Sequence, residues 1–254
     1  MFKKWIYEQS REKQTNIVLA LDLDIRDREK LLNNSLRVLK EVSDSICAVK
    51  INKHLTLPLG LYGGVDKIVE KVHEFNLPAI MDCKINDIGN TNRVIAESYF
   101  NIGFDALTAS PFIGWIDGLE PTFKIARQND KGILILVYMS HKGAEEGYGQ
   151  RVVDSEKGEI RPQYELFAEK ALKWKADGAI VGATQTEKMK QIYSMLKGKV
   201  PIYSPGVGVQ GGDIREAVKN GAEYLIIGRS IIMSNNPGKV AERIREEAWK
   251  IVKE

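Results

Sequence analysis

The 254-residue sequence has no run of about 18 apolar residues, the least a helix needs to cross a bilayer. Met1 to Lys13 carries charges throughout and lacks an uninterrupted apolar core, so a soluble, unexported, cytoplasmic protein is expected. Cysteine is scarce. Cys47 and Cys83 both fall in apolar runs, where such a pair in a long chain reads as reduced core thiols and not as a disulfide framework. The three histidines, His54, His73 and His141, have no metal-ligand spacing to one another. His141 follows Ser140 at a strand end and can line a site, whereas His54 and His73 are expected on loop and helix surfaces. No block of like charge and no aromatic-spaced basic stripe occurs, and 37 basic residues nearly balance 34 acidic ones, which argues against a nucleic-acid partner. No Gly/Ser-rich or Pro-rich linker divides the chain, so residues 1–254 are expected to form one domain.

Short apolar runs alternate instead with longer segments of helical period. Strands are expected at Ile17 to Asp22, Ile46 to Ile51, Ala79 to Lys84, Ala106 to Ala109, Gly132 to Tyr138, Ala179 to Gly182, Pro201 to Ser204 and Tyr224 to Ile227. They are rich in Ile, Val, Leu and Ala without polar alternation, the mark of parallel strands buried on both faces. Eight βα units close into a barrel, so the expected fold class is α/β, a single (β/α)8 TIM barrel. Val65, Ile68, Val69 and Val72 share one helical stripe, and Asn236-Pro237 opens another that carries Val240, Ile244, Ala248 and Ile251. Met1 to Gln14 reads as a short helical extension packed on the barrel's outside or base. Ser140 to Arg161, charged and Gly-punctuated, is longer than an ordinary strand-to-helix connection and reads as an irregular, lid-like loop.

Active sites of such barrels lie at the C-terminal ends of the strands. The polar residues ending the apolar runs are Asp22, Lys50, Asp82 with Lys84, and Ser140, and Arg229 follows the eighth. Asp82 and Lys84, two apart on a strand, are expected on one face, with Asp87 three further on. Unpaired charges in a packed interior cost several kcal/mol, so these must satisfy one another or serve chemistry. Flanking carboxylates favour the charged form of Lys84, which argues against a Schiff-base nucleophile. A protonated lysine can instead stabilise a developing carbanion and then give it a proton. The glycines of Ser204-Pro205-Gly206-Val207-Gly208-Val209-Gln210-Gly211-Gly212-Asp213 and of Gly228-Arg229-Ser230 fall in the two loops where barrels bind phosphate. Close backbone approach and a forked arginine suit that ligand. Metal binding competes for Asp82 and Asp87, but Lys84 already places a positive charge between them.

These motifs resemble those of the orotidine 5′-phosphate decarboxylase family, from about Ile17 to Pro237. The matching pieces are Leu-Ala-Leu-Asp ending at Asp22, Val-Lys-Ile around Lys50, Asp82-Cys-Lys84-Ile-Asn-Asp87-Ile88 with Thr91, Met139-Ser140-His141, the Ser204 to Asp213 loop and Gly228-Arg229-Ser230. The resemblance implies decarboxylation of orotidine 5′-phosphate to UMP. Lys84 would protonate C6 after loss of CO2, Asp82 would lie beside the departing carboxylate, and Lys50 and Asp87 would complete the charge network. Asp22 and Lys50 would contact the ribose, Ser140 the pyrimidine, and Gln210 and Arg229 the phosphate, with Pro205, Gly206, Val207, Gly208 and Gly228 lining the site. The resemblance further implies a homodimer in which Asp87, Ile88 and Thr91 enter the partner's site, with no metal and no cofactor. Lys142 stands where short forms often have Pro, and the insert after Gly143 is longer than in those forms. Competing readings are a metal-dependent sugar-phosphate decarboxylase or synthase on the same barrel, and a catalytically silent nucleotide-binding module.

Overall fold

The computed structural model describes residues 2–208 and 211–253. Each expected apolar run forms a barrel strand, with ends shifted by no more than two residues. The strands are β1 (Ile17–Ala20), β2 (Ala48–Ile51), β3 (Ala79–Ile85), β4 (Ala106–Ala109) and β5 (Gly132–Tyr138), followed after an insert by three more. The insert holds β6 (Arg151–Asp154) and β7 (Glu159–Pro162). The barrel then continues with β8 (Gly178–Val181), β9 (Ile202–Pro205) and β10 (Ala222–Ile227). The eight barrel strands are parallel and close in the order β1-β10-β9-β8-β5-β4-β3-β2. The Val, Ile, Leu and Ala side chains of these strands are almost all shielded from solvent, as strands covered by an outer ring of helices require.

The N-terminal helix (Phe2–Glu12) takes the base and not the flank. Phe2 and Ile6 are buried, and a Cβ on Gly132, at the entry of β5, would come within 2.4 Å of the Phe2 ring. Only glycine leaves room there for the aromatic plug. Nearby, the buried Asp105 carboxylate accepts from Lys131 Nζ at 2.8 Å, from the Ala79 backbone N–H at 2.9 Å, and bonds His73 Nε2 at 2.9 Å. His73 is thus a half-buried structural partner at the barrel's base and not a free helix-surface residue. The closing helix (Pro237–Lys253) starts where its signal placed it: Asn236 Oδ1 accepts from the Lys239 N–H at 3.1 Å.

The stretch from Ser140 to Arg161 is not the irregular loop that its composition suggested. It folds into a short helix (Ala144–Gly147) and the antiparallel hairpin of β6 and β7, with Val153 opposite Ile160. A two-stranded hairpin alone is marginal in water. Arg161 secures this one by pairing with Asp154 at 2.9 Å, Glu165 at 3.1 Å and Glu169 at 2.7 Å, so the hairpin is tied to the helix that follows it (Gln163–Lys173). Val153 and Ile160 are both exposed, and without an alternation of buried and polar positions the strands left little trace in the sequence. Among the described residues no helix is long and apolar enough to cross a membrane.

Candidate active site

Register sets the first part of the site. Lys50 lies level with Ala20 on β1 and with Ile80 on β3, so Asp22 and Asp82, each two residues further along, flank it at the strands' C-terminal ends. Lys50 Nζ is 2.8 Å from Asp82 Oδ2 and 3.9 Å from Asp22 Oδ1. Lys84 Nζ reaches the other oxygen, Asp82 Oδ1, at 2.7 Å. The four charges therefore form one chain in which Asp82 sits between two ammonium groups. Burial opposes ionisation of Asp82, but Lys50 and Lys84 outweigh it and hold the carboxyl well below the usual carboxylate range. Burial likewise opposes the charge on Lys50, and Asp82 and Asp22 overcome it, so its pKa stands above the ordinary value.

Simple strand alternation does not bring Asp82 and Lys84 together. Lys84 has φ +52°, in the left-handed region, and the register with β4 slips there. Met81 lies opposite Leu107 and Ile85 opposite Ala109, so four steps on β3 span two on β4. A bulge of this kind re-aims side chains beside a site, and the left-handed conformation costs a non-glycine residue on the order of 1 kcal/mol or more. Cys83, inside the bulge, has its thiol pushed up to about 12 by burial and by the neighbouring Asp82 charge. It stays a neutral thiol at physiological pH.

The two glycine-bearing loops meet beside this chain of charges. Pro205, Gly206, Val207, Gly228, Arg229 and Ser230 line a cleft of about 110 Å³ with Asp22 and Lys50. A Cβ on Gly208, where φ is +81°, would come within 2.6 Å of Ser230 Oγ, so glycine lets one loop close onto the other. Arg229 is exposed at the start of a short helix (Arg229–Ile232), and among the described residues no carboxylate pairs with it. Asp22 Oδ1 is shielded from solvent and receives no hydrogen bond from the described residues. Gln210 lies outside the described residues. Ser140 stands at the end of β5, close against Gly182, where a Cβ would come within 2.6 Å of the Ser140 Cα. Hollows of about 620 and 860 Å³ lie at the barrel's base and beside the hairpin. Neither touches the charged chain, and strand-end chemistry outweighs size in locating the site.

Asp87, Ile88 and Thr91 stand apart from this group. Asp87 is exposed, its Oδ1 accepts from the Ile88 N–H at 2.7 Å, and among the described residues no cation pairs with it. Ile88 is 64% exposed, and Thr91 lies in the first turn of the helix Gly89–Asn101. Asn92 fixes the turn, accepting from the Asp87 N–H at 3.0 Å and donating to Gly118 O at 3.0 Å. Among the described residues no three His, Cys, Asp or Glu side chains gather as a metal site would require.

Residues 15–244 match the model of the orotidine 5′-phosphate decarboxylase / HUMPS family. The chain belongs to this family. Orotidine 5′-phosphate decarboxylase of Thermococcus kodakarensis is 36% identical over 234 residues, 92% of this chain and 98% of that protein. The Methanocaldococcus jannaschii orotidine 5′-monophosphate decarboxylase, solved in complex with the inhibitor BMP, superposes with a TM-score of 0.75 at 28% identity, over 91% of this chain and 97% of that one. The Leishmania donovani OMP decarboxylase gives a TM-score of 0.87 over 100% and 99% of the two chains, and at 22% identity that likeness speaks to the fold alone.

One member of the site escaped the sequence reading. Thr108 on β4, 1% exposed, lies opposite the bulge. Its Oγ1 accepts from the Lys84 backbone N–H at 2.9 Å and donates to Asp82 Oδ1 at 2.9 Å. A threonine inside Ala-Leu-Thr-Ala has the composition of any strand, and only the bulge facing it gives its hydroxyl work to do.

Proposed function

We propose that this member of the orotidine 5′-phosphate decarboxylase / HUMPS family converts orotidine 5′-phosphate to UMP without metal or cofactor. The observation that carries the reading is Asp82 wedged between Lys50 and Lys84 at the mouth of the barrel. A substrate carboxylate seated beside the ionised Asp82 is repelled until it leaves. The C6–carboxylate bond breaks with its electron pair remaining on C6, CO2 departs, and the Lys84 ammonium stabilises the carbanion-like centre before transferring a proton to it. Lys84 is 39% exposed at its side chain, which leaves it able to recover a proton from solvent.

The surrounding groups have matching parts in this proposal. The unsatisfied Asp22 Oδ1, with Lys50, suits a ribose hydroxyl; Ser140 faces the pyrimidine; Arg229, Gly228, the Pro205 to Gly208 backbone and Gln210 hold the phosphate. The decisive experiment follows release of CO2 from orotidine 5′-phosphate by protein treated with a chelator. Full turnover is expected, and activity that vanished with chelator and returned with Mg2+ would instead favour a metal-dependent sugar-phosphate enzyme. Arg229→Ala removes a charge-assisted fork to phosphate and is expected to lower kcat/KM by roughly 10- to 100-fold, mainly through KM.

A homodimer is part of the proposal. The exposed Asp87, Ile88 and Thr91 would cross into the partner's site, where Asp87 meets Lys84 of the other subunit. Mixing inactive Lys84→Ala and Asp87→Ala proteins is then expected to restore about a quarter of wild-type activity, because half the dimers are mixed and one of their two sites is intact. Separate single-chain sites would give no recovery. The free thiols of Cys47 and Cys83 are in keeping with a cytoplasmic location.

A further inference from the structure

The structure assigns to Thr108 a positioning role: its single hydroxyl ties the backbone of Lys84 to the carboxylate of Asp82 and so fixes both reacting partners. The inference rests on the decarboxylation reading for its kinetic consequence, and on the geometry alone for the rest. A hydroxyl has one proton. Because the Lys84 N–H donates to Thr108 Oγ1, that proton is directed to Asp82 Oδ1, an acceptor without protons of its own when ionised. Lys84 Nζ returns to the same Oδ1 at 2.7 Å, and the ring closes: Lys84 backbone, Thr108 hydroxyl, Asp82 carboxylate, Lys84 ammonium.

The closure matters because lysine is flexible. Four side-chain torsions separate its backbone from Nζ, and an unanchored ammonium samples many positions. Here the backbone end is held in a left-handed conformation that an L-residue does not favour, and the opposite end is held by a carboxylate clamped from Lys50 as well. Thr108 is the only neutral side chain bonded to Asp82 among the described residues. It fixes orientation without altering the balance of two ammonium groups around that carboxylate. Remove the hydroxyl, and the bulge loses the acceptor for its N–H while Asp82 Oδ1 loses its second donor. A buried hydroxyl at this site would be costly if unbonded, and this one uses both its proton and a lone pair.

Three variants test the assignment with UMP and orotidine 5′-phosphate as probes. Thr108→Val keeps the branched shape and removes the hydroxyl; kcat is expected to fall about 100-fold, the scale of a misplaced reacting group, with UMP affinity and KM near wild type. Thr108→Ser keeps the hydroxyl and is expected to restore most of the lost turnover. Should the valine variant not fold, Thr108→Ala against Thr108→Ser makes the same comparison. A crystal structure of Thr108→Val, or of Thr108→Ala in its place, supplies a reading independent of turnover: Lys84 is expected to leave its φ of +52° or its contact with Asp82. Wild-type kcat in the hydroxyl-free variant, serine no better than valine, or an unmoved Lys84 overturns the positioning role. A wild-type protein that binds UMP without turning over orotidine 5′-phosphate overturns the proposed reaction and leaves the structural readout to decide on Thr108.

Discussion

Lys84→Ala is expected to cut turnover by about 10⁴-fold or more, the combined scale of a lost general acid and a lost electrostatic stabiliser, while UMP still binds. The fold gives reasons to expect this separation. Lys50 remains 2.8 Å from Asp82 in the variant's starting geometry, so the carboxylate is not stranded. The left-handed backbone at position 84 is as unfavourable for alanine as for lysine, so the substitution adds no backbone strain. The groups proposed to hold the phosphate lie on β9, β10 and their loops, across the barrel mouth from β3. Single-turnover rates with orotidine 5′-phosphate and titration with UMP measure the two quantities. Loss of UMP binding equal to the loss of rate would show that Lys84 serves binding and not chemistry.

Asp82→Ala is expected to damage both activity and stability. It leaves Lys50, 7% exposed at its side chain, with only Asp22 at 3.9 Å for compensation among the described residues. Breaking a buried pair from one side costs about 3 kcal/mol or more, which urea denaturation at neutral pH would read directly. Turnover is expected to fall about 10³-fold, the upper scale for removal of one preorganised electrostatic group. The pH dependence has a definite sign. The folded Asp82 carboxyl titrates below its ordinary value. Its stabilising contribution is therefore complete above the unfolded value of about 3.9 and is lost as pH falls toward the folded one. Acid should narrow the stability gap between wild type and Asp82→Ala; a gap constant down to pH 3 would contradict an ionised Asp82.

Much of this was readable in the residues, for physical reasons. Parallel strands buried on both faces must be apolar along their length, so charges at their ends stand out, and Asp22, Lys50, Asp82 and Lys84 were found in that way. The two loops proposed to hold phosphate were marked by glycines, and close packing requires one of them at Gly208. The bulge at Lys84 was hidden, because left-handed backbone at a lysine has no compositional mark as it does at glycine or asparagine. Thr108 was hidden with it. The β6/β7 hairpin was missed because its stability comes from Arg161 and from packing on the following helix, not from alternation within its strands. Asp87 was read both into the charge network and into a partner's site, and a single chain leaves it exposed, with no cation paired to it among the described residues. Its proposed role rests on the homodimer, in which the partner's Lys84 would supply its cation.

The carboxylate of Asp105, held between Lys131 and His73 at one end of the β3–β4 pair, has a counterpart in Asp82, held between Lys50 and Lys84 at the other. The lower cluster is partly covered by Trp5 of the N-terminal helix, whose ring packs on His73, and the upper one opens at the barrel mouth. Such a division separates stability from chemistry along one pair of strands. Interactions at the base can offset the destabilisation of a strained, charge-dense rim, so the same two strands anchor the barrel at one end while carrying like and unlike charges in close company at the other.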